Sequence, residues 1–132
     1  MKRILIIDDD AKLTKPLVSD LNATHGLEVV WLETAYDIVK TLKGSTFDAV
    51  ILDIMMPIPE DWSSDEQRRS EQGLSTGIVL FYKIRKDQPK LPILIYSAKK
   101  VLIQDKFTIV LTKPEFPEVI VENLEKLMSY EK

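Results

Sequence analysis

The chain predicts an α/β fold, a parallel sheet with helices on both faces. Three observations predict it. Short runs rich in Ile, Val and Leu recur along the 132 residues, amphipathic stretches separate most of them, and polar residues sit directly after several of the runs. Continuous apolar runs mark strands buried on both faces. Their alternation with helical stretches places helices on either side of one sheet.

The elements follow in order. Ile4–Ile7 reads as the first strand, ended by Asp8-Asp9-Asp10. Leu13, Leu17 and Leu21, four residues apart, mark a helix. His25, the sole histidine, stands beside Gly26 in a turn-like stretch and reads as a solvated loop residue rather than a catalytic base. Leu27–Leu32 is the second strand, Ile38 and Leu42 mark the second helix, and Ala49–Leu52 is the third strand, ending at Asp53. From Pro57 to Gly77 apolar periodicity is lost among Pro, Ser, Asp, Glu and Arg, so an exposed excursion is expected. Ile93–Tyr96 is the fourth strand, ending at Ser97, and Phe107–Leu111 the fifth, with Lys113 just beyond it. About nine residues separate those last two strands, room for at most about two helical turns. Ile120, Leu124 and Met128 mark a last helix running to about Tyr130, with Pro117 in its first turn.

Composition narrows the function. A net charge of −3 argues against a nucleic-acid binder, which carries a basic face. The absence of cysteine removes disulfides, zinc thiolates and a thiol nucleophile, and fits a cytoplasmic setting. The apolar run after Met1-Lys2-Arg3 is too short for a signal peptide, and no segment is long and apolar enough to span a bilayer. No membrane partner is expected.

Taken singly, a carboxylate or hydroxyl after a strand is an ordinary turn or cap. Jointly Asp8, Asp9, Asp53, Ser97 and Lys113 say more, because ligands of open parallel sheets bind beyond the carboxyl ends of the strands. Three carboxylates in one crevice repel unless a cation sits among them, and Mg²⁺ is the hard cation suited to carboxylates, water and phosphate oxygens. A lysine and a hydroxyl beside them suit phosphate oxygens. Together they form a kit for phosphoryl transfer.

At these residues the chain resembles the receiver domains of response regulators. The resemblance rests on Ile4-Leu5-Ile6-Ile7-Asp8-Asp9-Asp10, Leu52-Asp53-Ile54-Met55-Met56-Pro57, Ser97-Ala98 and Lys113-Pro114, in that order over nearly the whole chain. It implies a flavodoxin-like three-layer sandwich of five parallel strands in the order 2-1-3-4-5. It implies that Asp53 takes a phosphoryl group from a histidine kinase or a histidine phosphotransfer protein. Mg²⁺ would be held by Asp9 directly, by Asp8 through water, by Asp53 and by the Met55 backbone carbonyl. Ser97 and Lys113 would contact the phosphoryl oxygens, and the Lys113-Pro114 bond would be cis. The protein would be a phosphoacceptor rather than an enzyme with a separate substrate.

Three departures qualify the resemblance. The glycine that opens the family's third helix matches Gly77, 24 residues after Asp53, so residues 57–76 form an inserted loop bordering the site. That loop is expected either as a tolerated surface insertion or as a lid or partner-recognition loop. In the second case Trp62 would anchor it, and Arg68 and Arg69 would be within reach of the phosphoryl group if not solvated or locally paired. Lys113 lies only 16 positions after Ser97, a shorter spacing than in the family. The fourth helix is therefore expected to be short, distorted or absent, with Val101, Leu102 and Ile103 covering the sheet irregularly. Val110 stands where the family has a Tyr or Phe that reports phosphorylation, which puts the usual output face in doubt.

Residues 1–132 are expected to form one receiver domain with no output domain after it. The leading expectation is a stand-alone switch acting through another protein. The alternatives are a phosphorelay intermediate or phosphate sink, and an interaction module independent of phosphorylation. An aspartyl-phosphate hydrolase is disfavoured because Met55 stands where a second Asp belongs, and an FMN binder because Asp8-Asp9-Asp10 would repel a phosphate.

Overall fold

The computed structural model describes residues 1–129. Five strands, β1 (Arg3–Ile7), β2 (Glu28–Leu32), β3 (Ala49–Leu52), β4 (Ile93–Ser97) and β5 (Thr108–Thr112), form one sheet in the order β2-β1-β3-β4-β5. Every pairing is parallel, with Ile6 beside Ile51 and Leu52 beside Ile95. This is the predicted fold class and strand order.

Alternation along the strands divides the core into two. Leu5, Ile7, Val50, Leu52, Ile93 and Ile95 face one side, where α2 (Ile38–Gly44) and α4 (Thr76–Asp87) cover them. Ile4, Ile6, Ala49, Ile51, Leu94 and Tyr96 face the other, under α1 (Ala11–Thr24) and α5 (Pro117–Met128). Because β1, β3 and β4 are buried on both faces, they read as unbroken apolar runs. Leu17 and Leu21 are buried as the helical spacing predicts, but Leu13 is 44% exposed and turns toward the strand ends. The last helix ends at Met128; Tyr130, the expected end, lies outside the described residues. No helix among the described residues is long and apolar enough to cross a membrane.

The inserted segment is mostly exposed, as expected, but it is not structureless. It contains α3 (Ser64–Arg69), capped reciprocally by Ser63 and Glu66, and a 3-10 turn, Glu71–Gly73. Trp62 holds the segment from within rather than offering an interface, since it is buried in the core with the Lys83 ammonium of α4 4.7 Å from its ring. Arg68 and Arg69 both pair with Asp65. A helix this short is held by caps and local charges, which leave no apolar period to detect.

The crossover from β4 to β5 has no helix. After a bend at Ala98 and Lys99, residues 100–105 run as a strap without helix whose side chains alternate outward and inward, the signature of extended chain. Val101 and Ile103 pack onto the core as expected, but Leu102 points fully into solvent. The strap is tied at its far end to α4, where Arg85 donates to Asp105 at 2.6 Å and to the Thr108 hydroxyl at 3.0 Å. His25 is half-buried at the end of α1, with its Nε2 3.5 Å from Asp20, rather than a freely solvated loop residue.

Candidate functional site

The polar residues gather at the carboxyl ends of β1, β3, β4 and β5 because all four strands run the same way. Asp8 follows β1 with its N–H bonded to the Leu32 carbonyl, and Asp53 follows β3 with its N–H bonded to the Ile7 carbonyl. The sheet ladder thus sets where both carboxylates begin. Asp8 Oδ1 accepts the Asp10 N–H at 2.8 Å, Asp53 Oδ1 accepts the Ile54 N–H at 2.8 Å, and Asp10 turns away to cap α1 through the Leu13 N–H.

Lys113 closes the group. Its ammonium donates to Asp8 Oδ2 at 2.6 Å and to Asp53 Oδ2 at 3.2 Å, and its side chain is 6% exposed. Its own N–H is held by the Ser97 carbonyl, and the Lys113-Pro114 bond is cis. Asp8, Asp9 and Asp53 each offer a carboxylate oxygen within 4.8 Å of the others; Asp8 and Asp53 are buried and Asp9 is exposed. A cleft of about 360 Å³ opens over them, with Asp9, Asp53, Met55, Ala98 and Lys113 in its walls.

The charges follow from the geometry. Burial, reinforced by the Asp53 charge, pushes the Asp8 and Asp9 carboxyls above the ordinary carboxylate range, more than Lys113 lowers them. Burial alone would lower the Lys113 ammonium, but the facing Asp8 and Asp53 hold it above its ordinary value. Three carboxylates face one ammonium, leaving the pocket with excess negative charge. The donor set therefore fits a divalent, oxygen-loving cation.

Ser97 is fully buried at the end of β4, and its hydroxyl accepts the Lys99 N–H at 3.2 Å. It borders the pocket through Lys113 rather than lining the cleft. Four further residues shape the site. Trp31 donates its indole N–H to the Asp8 carbonyl at 2.8 Å, fixing the acidic turn from β2. Gly77 donates its N–H to the Ile54 carbonyl at 2.7 Å, and a Cβ there would overlap the Asp53 carbonyl oxygen. Thr76 donates its hydroxyl to the Met56 carbonyl at 2.6 Å. Tyr96 accepts the Glu115 N–H at 2.9 Å, tying β4 to the turn after Lys113. Gly77 carried a sequence signal; Trp31, Thr76 and Tyr96 carried none, since each acts through a contact 19 or more residues away in the chain.

No family model matches the chain, and no curated protein matches its sequence. Solved structures do. A response regulator receiver domain protein (CheY-like) from Methanospirillum hungatei JF-1 is 22% identical with a TM-score of 0.73, over 97% of this chain and 94% of that one. The response regulator protein TrrA from Thermotoga maritima, solved in complex with Mg²⁺ and BeF, is 26% identical with a TM-score of 0.72, over 96% and 99%. The non-phosphorylated HemR receiver domain from Leptospira biflexa is 22% identical with a TM-score of 0.74, over 100% and 98%. The sheet, its order and its flanking helices are the fold of response-regulator receiver domains.

Proposed function

We propose that this chain, built on the receiver-domain fold, is a phosphoacceptor of two-component signalling that takes a phosphoryl group on Asp53. The observation that carries the reading is the Lys113 ammonium shared between Asp8 and Asp53 at the ends of parallel strands. Asp53 presents a carboxylate oxygen whose new bond to phosphorus forms as the phosphorus–nitrogen bond of a donor phosphohistidine breaks. The electron pair returns to the imidazole nitrogen of the donor, a histidine kinase or a histidine phosphotransfer protein. The Ile54 N–H and Lys113 hold the two Asp53 oxygens, so the nucleophile is oriented before the donor arrives. Lys113 then stands ready to neutralise the transferred phosphoryl oxygens. Ser97, once its hydroxyl turns from the Lys99 N–H, supplies a second donor to them. Asp8, Asp9, Asp53 and the Met55 carbonyl are the groups that would hold Mg²⁺. When bound, Mg²⁺ balances the carboxylates and draws charge from the phosphoryl oxygens.

Incubation with acetyl phosphate or phosphoramidate and Mg²⁺ is expected to add the mass of one phosphoryl group to the wild type and nothing to Asp53→Ala. An unmodified wild type overturns the reading. A second reading draws on Val110, half-buried on β5 where no aromatic side chain is available to swing. It makes the protein a relay intermediate, and predicts that phosphorylated protein returns its label to a histidine phosphotransfer partner. Label retained on Asp53 with every such partner rejects it.

A further inference from the structure

Two segments border the end of β4, and one side chain joins them. Lys99 lies two residues past Ser97 and its N–H donates to the Ser97 hydroxyl at 3.2 Å. Its side chain reaches into the insertion, where the ammonium donates to the Leu74 carbonyl at 3.0 Å and to the Ser75 hydroxyl at 2.8 Å, with Glu71 at 3.9 Å. Ser75 in turn donates to the Glu71 carboxylate. The segment so held is strained. Glu71 and Gln72 have φ of 52° and 59°, in the left-handed region that side chains disfavour, and Gly73 follows at 96°. Its other end is fastened to the loop carrying Asp53, through Gly73 to Met56, Thr76 to Met56 and Gly77 to Ile54.

We propose that Lys99 is a latch coupling the phosphoacceptor pocket to the insertion. In the resting protein it holds Glu71–Ser75 in the strained backbone. When Ser97 turns its hydroxyl to a phosphoryl oxygen on Asp53, the Lys99 N–H loses its acceptor, the chain at 97–99 resets, and the ammonium leaves Leu74 and Ser75. The insertion then relaxes and presents a changed surface. This rests on the phosphoacceptor reading and adds the exit route of the signal. The route follows from what the neighbouring region lacks. Val110 is not aromatic, and the strap residues Lys100–Gln104 make no hydrogen bond among the described residues, so no polar contact ties the strap's centre to the pocket.

The test uses the full chain with Mg²⁺ and beryllium fluoride as the acyl-phosphate mimic. Fluorine NMR reads occupancy of Asp53, and amide exchange reads the latch, because the Gly73, Leu74 and Ser75 N–H groups are all bonded within the insertion. A bound fluorine signal, absent in Asp53→Asn, is expected together with an exchange increase of about threefold or more across residues 72–76. Lys99→Met keeps the aliphatic stem and is expected to show that faster exchange without the mimic, and no further change with it. Lys99→Arg is expected to restore the protection. A bound signal with unchanged exchange at 72–76 overturns the latch and leaves the phosphoacceptor reading standing. So does Lys99→Met with wild-type protection. Absence of any bound signal removes the phosphoacceptor reading, and the latch falls with it.

Discussion

The two crossovers that flank β4 differ in opposite ways. The one entering it is lengthened and has folded: it buries Trp62, caps a short helix and wedges Gly77 against Asp53. The one leaving it is shortened and has lost its helix, so a strap held by Lys99 at one end and Arg85 at the other spans the gap. Extra chain became structure through one buried aromatic, a capping box and local ion pairs. β5 is half-buried on every residue but its last, as β2 is on every residue but its first, because both are edge strands. Length alone therefore does not decide order; the buried aromatic, the capping box and the local ion pairs do.

The largest effect separating the two crossovers is expected at Trp62. It is 7% exposed and packs with Ile38 and Leu80, so Trp62→Ala is expected to cost about 3–5 kcal/mol in urea unfolding. A cost below about 0.5 kcal/mol, the range of surface positions, would place the insertion off the core and erase the contrast.

Arg85 comes next. Its guanidinium, 14% exposed, serves Asp105, the Gln88 and Leu91 carbonyls and the Thr108 hydroxyl together. Arg85→Met leaves Asp105 with a half-buried charge and those carbonyls unserved. The expected loss is about 2–4 kcal/mol. Faster amide exchange at residues 105–110 should accompany it, with residues 62–70 unchanged. Equal loosening of both crossovers would show that they are not separately tethered.

How much of this was legible in the sequence follows the same line. Strands β1, β3 and β4 are buried on both faces, so their composition announced them, and parallel topology then brought Asp8, Asp53 and Lys113 together. The shortened crossover was legible as a length, because about nine residues leave room for at most about two helical turns; that no turn of helix forms there was not. Neither was the folded insertion. Its order comes from a single aromatic, a capping box and pairs such as Lys83 with Glu66, none of which repeats with a helical period. Nor was the inward turn of Trp62, since a tryptophan among polar residues reads equally as interface or core.

A smaller effect tests the charged half of that order. Glu66 accepts the Lys83 ammonium at 2.8 Å and the Ser63 N–H at 2.9 Å, which together hold its carboxyl below the ordinary range. A carboxyl lowered in the folded state stabilises it above the unfolded value, and that contribution is lost as pH falls through the lowered one. Stability measured stepwise from pH 6 downward is therefore expected to fall less steeply in Glu66→Gln than in the wild type, the difference opening as pH approaches 4.5 and growing below it. Parallel profiles would mean that the capping box holds no net charge interaction.

The smallest effect is expected at Leu102, and its smallness is the point. The side chain is fully exposed, and Lys100–Gln104 make no hydrogen bond among the described residues. Leu102→Ser removes no buried area, so it is expected to change unfolding free energy by less than about 0.5 kcal/mol. The adjacent Val101→Ser, on the inward face of the strap, is expected to cost more, because Val101 packs on the core. Alternation of cost from one residue to the next is the energetic form of an extended chain. Equal costs at 101 and 102 would mean that the strap does not alternate between core and solvent.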